Sequence, residues 1–183
     1  MIFKIALIIL LSYCFGSITG AYYVTKLMLG KDIRMLGSGN VGARNAGRQL
    51  GTKGFLYTLS IDTIKVIFPL LITDHFFPEN KMMLLVSALF LLIGHIWPIQ
   101  LGFKGGKGVV VYLVSTLYIL PIAIVIVGIS VGISYMLIQN FTIAGLIAMI
   151  SIPITAWILG EYYYATGLLL LLIIVVILQI IRK

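Results

Sequence analysis

Between residues 108 and 160 the chain carries no charged side chain. As one straight helix, a run of that length would reach roughly 80 Å at 1.5 Å per residue, against about 30 Å for the hydrocarbon core of a bilayer. It must fold back on itself. The whole sequence of 183 residues is 61% hydrophobic with a mean hydropathy of +1.17, more apolar surface than one soluble core can bury. The surplus is expected to face lipid, in an all-α polytopic membrane protein forming a single domain over residues 1–183.

Uncharged or nearly uncharged runs at 5–25, 54–73, 82–103 and 162–181 are each long enough to cross a bilayer. The first resembles a signal peptide in having Lys4 ahead of it and small residues near its end, but it is too long for one. Within 108–160, Pro121 and the Gln139-Asn140 pair are the natural breaks. They leave three pieces, of which 109–120 is short for a crossing, and the count comes to about seven transmembrane helices. The second span contains Asp62 and Lys65, three apart and so on one helical face. A lone charge in lipid costs about 3 kcal/mol, so the two are expected to pair toward the bundle interior.

Loop charge sets the expected orientation. Lys26, Lys31, Arg34, Arg44, Arg48 and Lys53 lie between spans one and two, whereas Asp74 and Glu79 lie between two and three. By the positive-inside rule the first of these loops is cytoplasmic. Seven spans then place Lys104, Lys107, Arg182 and Lys183 inside, with Glu161 and the amino terminus outside. The net charge of +8 is explained by these loops without a nucleic-acid partner. The single cysteine, Cys14, sits in an apolar run, which excludes an intrachain disulfide and a CxxC metal or redox motif.

Two basic loops are rich in glycine. The stretch GSGNVGARNAGR at 37–48 holds Gly37, Gly39 and Gly42 in GxGxxG spacing, but a dinucleotide fold would need a βαβ unit for which there is no room. What remains is the physical content of the pattern: glycines allow positive φ, so successive N–H groups can converge on an anion. Asn40 is a good N-cap for a short helix ending near Gly51, whose positive end would add to this. On that helix Arg44 and Arg48 stand at i and i+4, where like charges repel unless an anionic ligand or headgroup neutralises them. The second loop, GFKGGKG at 102–108, fails as a Walker A sequence because Leu101 and Gly108 occupy the positions of its first glycine and its Ser or Thr. Its lysines, Lys104 and Lys107, lie among Gly105, Gly106 and Gly108 and again suit phosphate. His95, in GHIWP at 94–98, is either a hydrogen-bonded residue at a helix end or a base or phosphate ligand at the site.

In order and spacing, the 37–48 loop (GSGNVGAxNxxR), Asp62-x-x-Lys65, and 94–109 (GHxxP through FKGGKGV) together resemble the PlsY family of acyl-phosphate:glycerol-3-phosphate acyltransferases. The resemblance covers about the first 115 residues. It implies a seven-helix membrane enzyme of the bacterial cell membrane. Such an enzyme transfers a fatty acyl group from acyl phosphate to glycerol 3-phosphate on the cytoplasmic side, giving lysophosphatidic acid for phospholipid synthesis. It implies phosphate contacts from Ser38, Asn40, Asn45, Arg48, Lys104 and Lys107, with glycines admitting substrate oxygens, no cofactor, and an upstream enzyme that supplies acyl phosphate.

The chain departs from the family pattern at Arg44, where threonine is usual, and at QNFTI (139–143), where Thr142 offers a hydroxyl in place of the usual serine. It ends at Lys183, where the family usually continues with a His-Arg-x-Asn-Ile-x-Arg motif. The expected catalytic residues are His95, Lys107 and Arg48. Arg44 and Thr142 join the expected substrate-binding set.

Acyl phosphate carries its own leaving group, so holding two phosphates and aligning a hydroxyl with the carbonyl is the main requirement. The sequence contains no His-x-x-x-x-Asp pair of the kind used by other glycerolipid acyltransferases. In the cytoplasmic loops Asp32 is the sole carboxylate, which argues against a bound metal. The alternatives are a divergent non-catalytic relative, or a small anion transporter using the same basic loops.

Overall fold

The computed structural model describes residues 1–181. The expected inside position of Arg182 and Lys183 lies outside the described residues. Within them the chain is helical: α1 (Ile2–Ser17), α2 (Gly20–Leu29), α3 (Ala43–Phe76), α4 (Lys81–Ile96), α5 (Val109–Ile119), α6 (Pro121–Ile138), α7 (Phe141–Met149), α8 (Ser151–Ile158) and α9 (Tyr162–Ile181). Six stretches are long and apolar enough to cross a membrane: Ile2–Leu29, Ala43–Phe76, Lys81–Leu101, Pro121–Ile138, Phe141–Ile158 and Tyr162–Ile181.

Helix α5 has 11 residues and rises only about 16 Å, as expected of a piece too short to cross unaided. It nevertheless links the two ends of the bundle, because the loop before it descends into the protein. Gly105 N–H donates to the Ile96 carbonyl (3.1 Å) and Gly106 N–H to that of His95 (3.0 Å). Irregular backbone at this depth is tolerated where protein surrounds it. At the far end, Tyr118 Oη donates to Asp74 Oδ2 at 3.2 Å, which brings the end of α5 to the end of α3.

The breaks lie where the sequence placed them. Leu120 and Pro121 separate α5 from α6, and Asn140 caps α7 by accepting from Thr142 and Ile143 N–H. The chain thus passes along the bundle seven times. One end carries Asp74, Glu79 and the Lys81–Glu161 ion pair. Lys4 stands 5.8 Å from the Phe76 ring and so puts the amino terminus at this end. The other end carries both glycine loops, with Asp32 as its one acidic side chain among the described residues.

Leu91, Leu92, Val111, Ile152, Leu168 and Val175 form the packed centre where α4, α5, α8 and α9 meet. Gly16 and Gly94 let α1 and α4 touch backbone to backbone, since a methyl at either would strike a carbonyl oxygen of the other helix. Apolar side chains such as Leu10, Ile129, Ile133 and Leu170 point outward from this core. They form the surface that lipid would cover.

The first span is broken at Ile18–Thr19, which frees backbone groups inside the protein. Helix α3 satisfies them. Lys65 Nζ donates to the Ile18 carbonyl at 2.6 Å, and Gly20 N–H donates to Asp62 Oδ1 at 3.1 Å. Lys65 and Asp62 also pair with each other at 2.8 Å, and both are buried. The expected intramembrane pair therefore forms, and it caps a helix break.

Candidate active site

The first basic loop is shaped from within. Asp32 accepts from Arg34 N–H (2.9 Å) and grips the Arg34 guanidinium at 2.6 to 3.0 Å, while Arg34 Nη1 reaches across to the Leu101 carbonyl at 2.7 Å. That arginine staples the two glycine loops together. Its hydrogen bonds hold the Asp32 carboxyl below the usual aspartate range, and Asp32 in turn raises Arg34.

Asn45, buried in the first turn of α3, donates to the carbonyls of Leu36 (2.9 Å) and Asn40 (3.1 Å) and accepts from Ser38 N–H (3.2 Å). The loop is wrapped around this amide. Gly37 and Gly39 have φ of +56° and +70°, conformations a β-carbon would resist. Helix α3 begins after Gly42, not after Asn40 as expected. The reason is that the Asn40 carbonyl is turned back toward Asn45 and Gly42 N–H, which keeps the chain non-helical for two more residues. The expected end near Gly51 appears as a kink, with φ +70° at that residue, and α3 then continues as the second span.

The second loop packs directly on the first. A methyl on Gly106 would collide with His95 Nε2 and with the Val41 carbonyl oxygen, so only glycine lets these three segments meet. Two cavities open around this contact. A polar one of about 480 Å³ lies between the loops, lined by Asp32, Arg34, Ser38, Asn40, Lys104 and Lys107 among others. The other, about 600 Å³, has Arg44, Arg48, Lys107, His95 and Thr142 on its walls and runs on between Leu59, Leu113, Val127, Val131 and Met149. Ser38, Asn40 and Lys107 line both cavities. Arg44 Nη1 donates to Thr142 Oγ1 and ties α3 to α7 at this site.

Of the residues expected at the site, Gly39, Gly42, Asn45, Gly105 and Gly108 also line one cavity or the other. Gly37 does not, being turned against Asn45 and Gln49, and Gly106 is buried in the loop contact. The sequence reading missed the apolar walls supplied by α3, α5, α6 and α7, since nothing distinguishes a cavity-lining valine from a lipid-facing one in a helix apolar on all sides. It also missed the Arg34 staple, whose partner is a backbone carbonyl 67 positions away.

A basic mouth over a long apolar interior can hold a phosphate-bearing lipid. Comparisons with known proteins agree in kind. A family model described as "Glycerol-3-phosphate acyltransferase" matches residues 6–183. "Glycerol-3-phosphate acyltransferase 1" of Desulfitobacterium hafniense is 38% identical over 154 residues, covering 84% of this chain and 75% of the relative. The protein of that name from Bacillus cereus is 39% identical over 174 residues, 93% of each. Among solved structures, PlsY, an integral membrane glycerol 3-phosphate acyltransferase, superposes in its glycerol 3-phosphate form with TM-score 0.83 at 30% identity. That match covers 98% of this chain and 88% of the other. The lysophosphatidic acid form matches with TM-score 0.80 at 29% identity, over 98% and 87%.

Proposed function

The chain belongs to the glycerol-3-phosphate acyltransferase family and is a membrane enzyme that acylates glycerol 3-phosphate to lysophosphatidic acid in phospholipid synthesis; on that premise we propose how its site does so. The acyl donor is acyl phosphate, delivered by an upstream enzyme that makes it. The acyl chain lies along the apolar interior between α5, α6 and α7, and the two phosphates lie among Ser38, Asn40, Arg48, Lys104 and Lys107.

The observation that carries this reading is the shared wall. One polar and one amphipathic cavity meet at Ser38, Asn40 and Lys107, as two substrates meeting at one reacting carbon require. The glycerol hydroxyl oxygen attacks the acyl carbonyl carbon, the carbon–oxygen bond to phosphate breaks, and inorganic phosphate leaves with the electron pair. The hydroxyl proton passes to His95 or to a phosphate oxygen of a substrate. Lysines and arginines around the departing phosphate stabilise its charge. The loops face the cytoplasm and the amino terminus faces outward, because the basic end holds eight Lys and Arg among the described residues against Asp32 alone.

The test gives purified protein labelled glycerol 3-phosphate with either acyl phosphate or acyl-CoA, with and without a chelator, and counts lysophosphatidic acid. Product is expected from acyl phosphate alone and is expected to survive the chelator. Asp32, the one carboxylate at the basic end among the described residues, has both oxygens on Arg34, and hard cations need several oxygen ligands. Product from acyl-CoA alone overturns the donor.

A further inference from the structure

His95 lies 3% exposed at the point where the first span, α3 and both glycine loops meet. Its Nδ1 is 2.8 Å from Lys65 Nζ. The same ammonium is 2.8 Å from Asp62 Oδ1 and 2.6 Å from the Ile18 carbonyl oxygen. An ammonium has three hydrogens and no lone pair, so it can only donate. Three partners at hydrogen-bonding distance use all three hydrogens, and each partner must be an acceptor. The Nδ1 lone pair is therefore occupied, and a neutral imidazole must carry its one hydrogen on Nε2.

Two features keep Lys65 charged. Asp62, 1% exposed, faces it directly, and a buried carboxylate facing a neutral amine would be left uncompensated. Asp62 is itself fixed by the Gly20 N–H. The other ring nitrogen, Nε2, lies against Gly106 of the second glycine loop.

Resting on the acyl-transfer reading, we propose that Lys65 is a positioning residue that locks His95 in its Nε2–H tautomer, so that His95 turns a hydrogen-bond donor toward the glycine loops. A ring with Nδ1 held by an ammonium and Nε2 already protonated has no lone pair for a substrate proton. Taking one up would put a hydrogen on Nδ1 against Lys65. The Asp62–Lys65–His95 chain thus extends the cap of a broken helix into the site and sets which nitrogen faces the glycine loops.

The chain has two histidines, and His75 lies at the far end of α3. His75→Gln protein labelled with ¹⁵N-histidine in lipid nanodiscs therefore reports His95 alone. The expected spectrum has an unprotonated Nδ1 and a protonated Nε2. A hydrogen on Nδ1, with or without one on Nε2, overturns the proposal. In the Asp62→Leu/Lys65→Met variant, which removes both charges together, the two tautomers should interchange and their signals average. An unchanged His95 signature in that folded variant also overturns the role of Lys65. Both spectra are read without turnover, so they fail or succeed separately from the acyl-transfer assay.

Discussion

Replacing Lys65 with methionine should be among the most damaging single changes outside the phosphate loops. The substitution keeps the volume but removes three hydrogen bonds, leaving Asp62 with the Gly20 N–H and stranding the Ile18 carbonyl and His95 Nδ1. Removing one partner of a buried pair costs about 3–5 kcal/mol, and a stranded buried carbonyl about 1–3 kcal/mol more. Asp62→Leu/Lys65→Met removes the charges together. It leaves the backbone groups of the helix break unsatisfied and His95 Nδ1 without the ammonium, but no uncompensated charge, so its cost should fall to about 1–3 kcal/mol. The four members of this cycle can be compared by reversible unfolding in mixed micelles with rising fractions of denaturing detergent. The double variant should be more stable than Lys65→Met by about 3–5 kcal/mol, the part due to the uncompensated carboxylate. Equal stability of the two would refute the reasoning, because it would mean that Asp62 does not depend on Lys65 for its burial.

Arg48→Ala and Lys107→Ala should each lower kcat/KM by about 10², the loss of one charge-assisted phosphate contact worth on the order of 2–3 kcal/mol. Steady-state kinetics with both substrates checks this. Val131→Trp, on the apolar wall, should shift preference toward shorter acyl donors while leaving KM for glycerol 3-phosphate unchanged, as read from a chain-length series. Cysteines placed at Thr52 and Pro78 in a Cys14→Ala background should label from opposite sides of the membrane, since Thr52 lies in the amino-terminal part of α3 and Pro78 just beyond its carboxyl end. Asp32 is held below its ordinary value, so its stabilisation is present above about pH 4 and disappears as pH falls through the lowered value. The pair is partly exposed, so Asp32→Asn should cost only about 1 kcal/mol at pH 7. In thermal unfolding followed against pH, that difference should shrink below about pH 4 and vanish once pH has fallen through the lowered value, where the wild-type carboxyl is protonated too.

What could be read from the chain alone was whatever depends on local composition. Apolar length against bilayer thickness marks a span wherever it occurs, so the helices and the breaks at Pro121 and Gln139-Asn140 were legible without a fold. Loop charges separated a basic end from an acidic one for the same reason. Spacing made Asp62 and Lys65 partners, because three residues along a helix return to one face. The glycine loops stood out because glycine among Lys and Arg interrupts an otherwise apolar sequence, and the structure sets both loops around the two cavities.

Only the tertiary structure decided what those pieces do to one another. It joined two loops about 65 positions apart through Gly106, Val41 and His95, and it turned Asn45 from a phosphate ligand in expectation into the amide around which a loop is folded. It also converted His95 from an ambiguous residue into one whose Nδ1 is engaged by a buried ammonium. The apolar cavity wall arises where α3, α5, α6 and α7 diverge, and sequence carries no mark of that divergence because cavity and lipid solvate a valine alike. A hydrogen bond's direction and a cavity's shape belong to pairs of distant groups. They exist only once chain packing has fixed the distances between those groups.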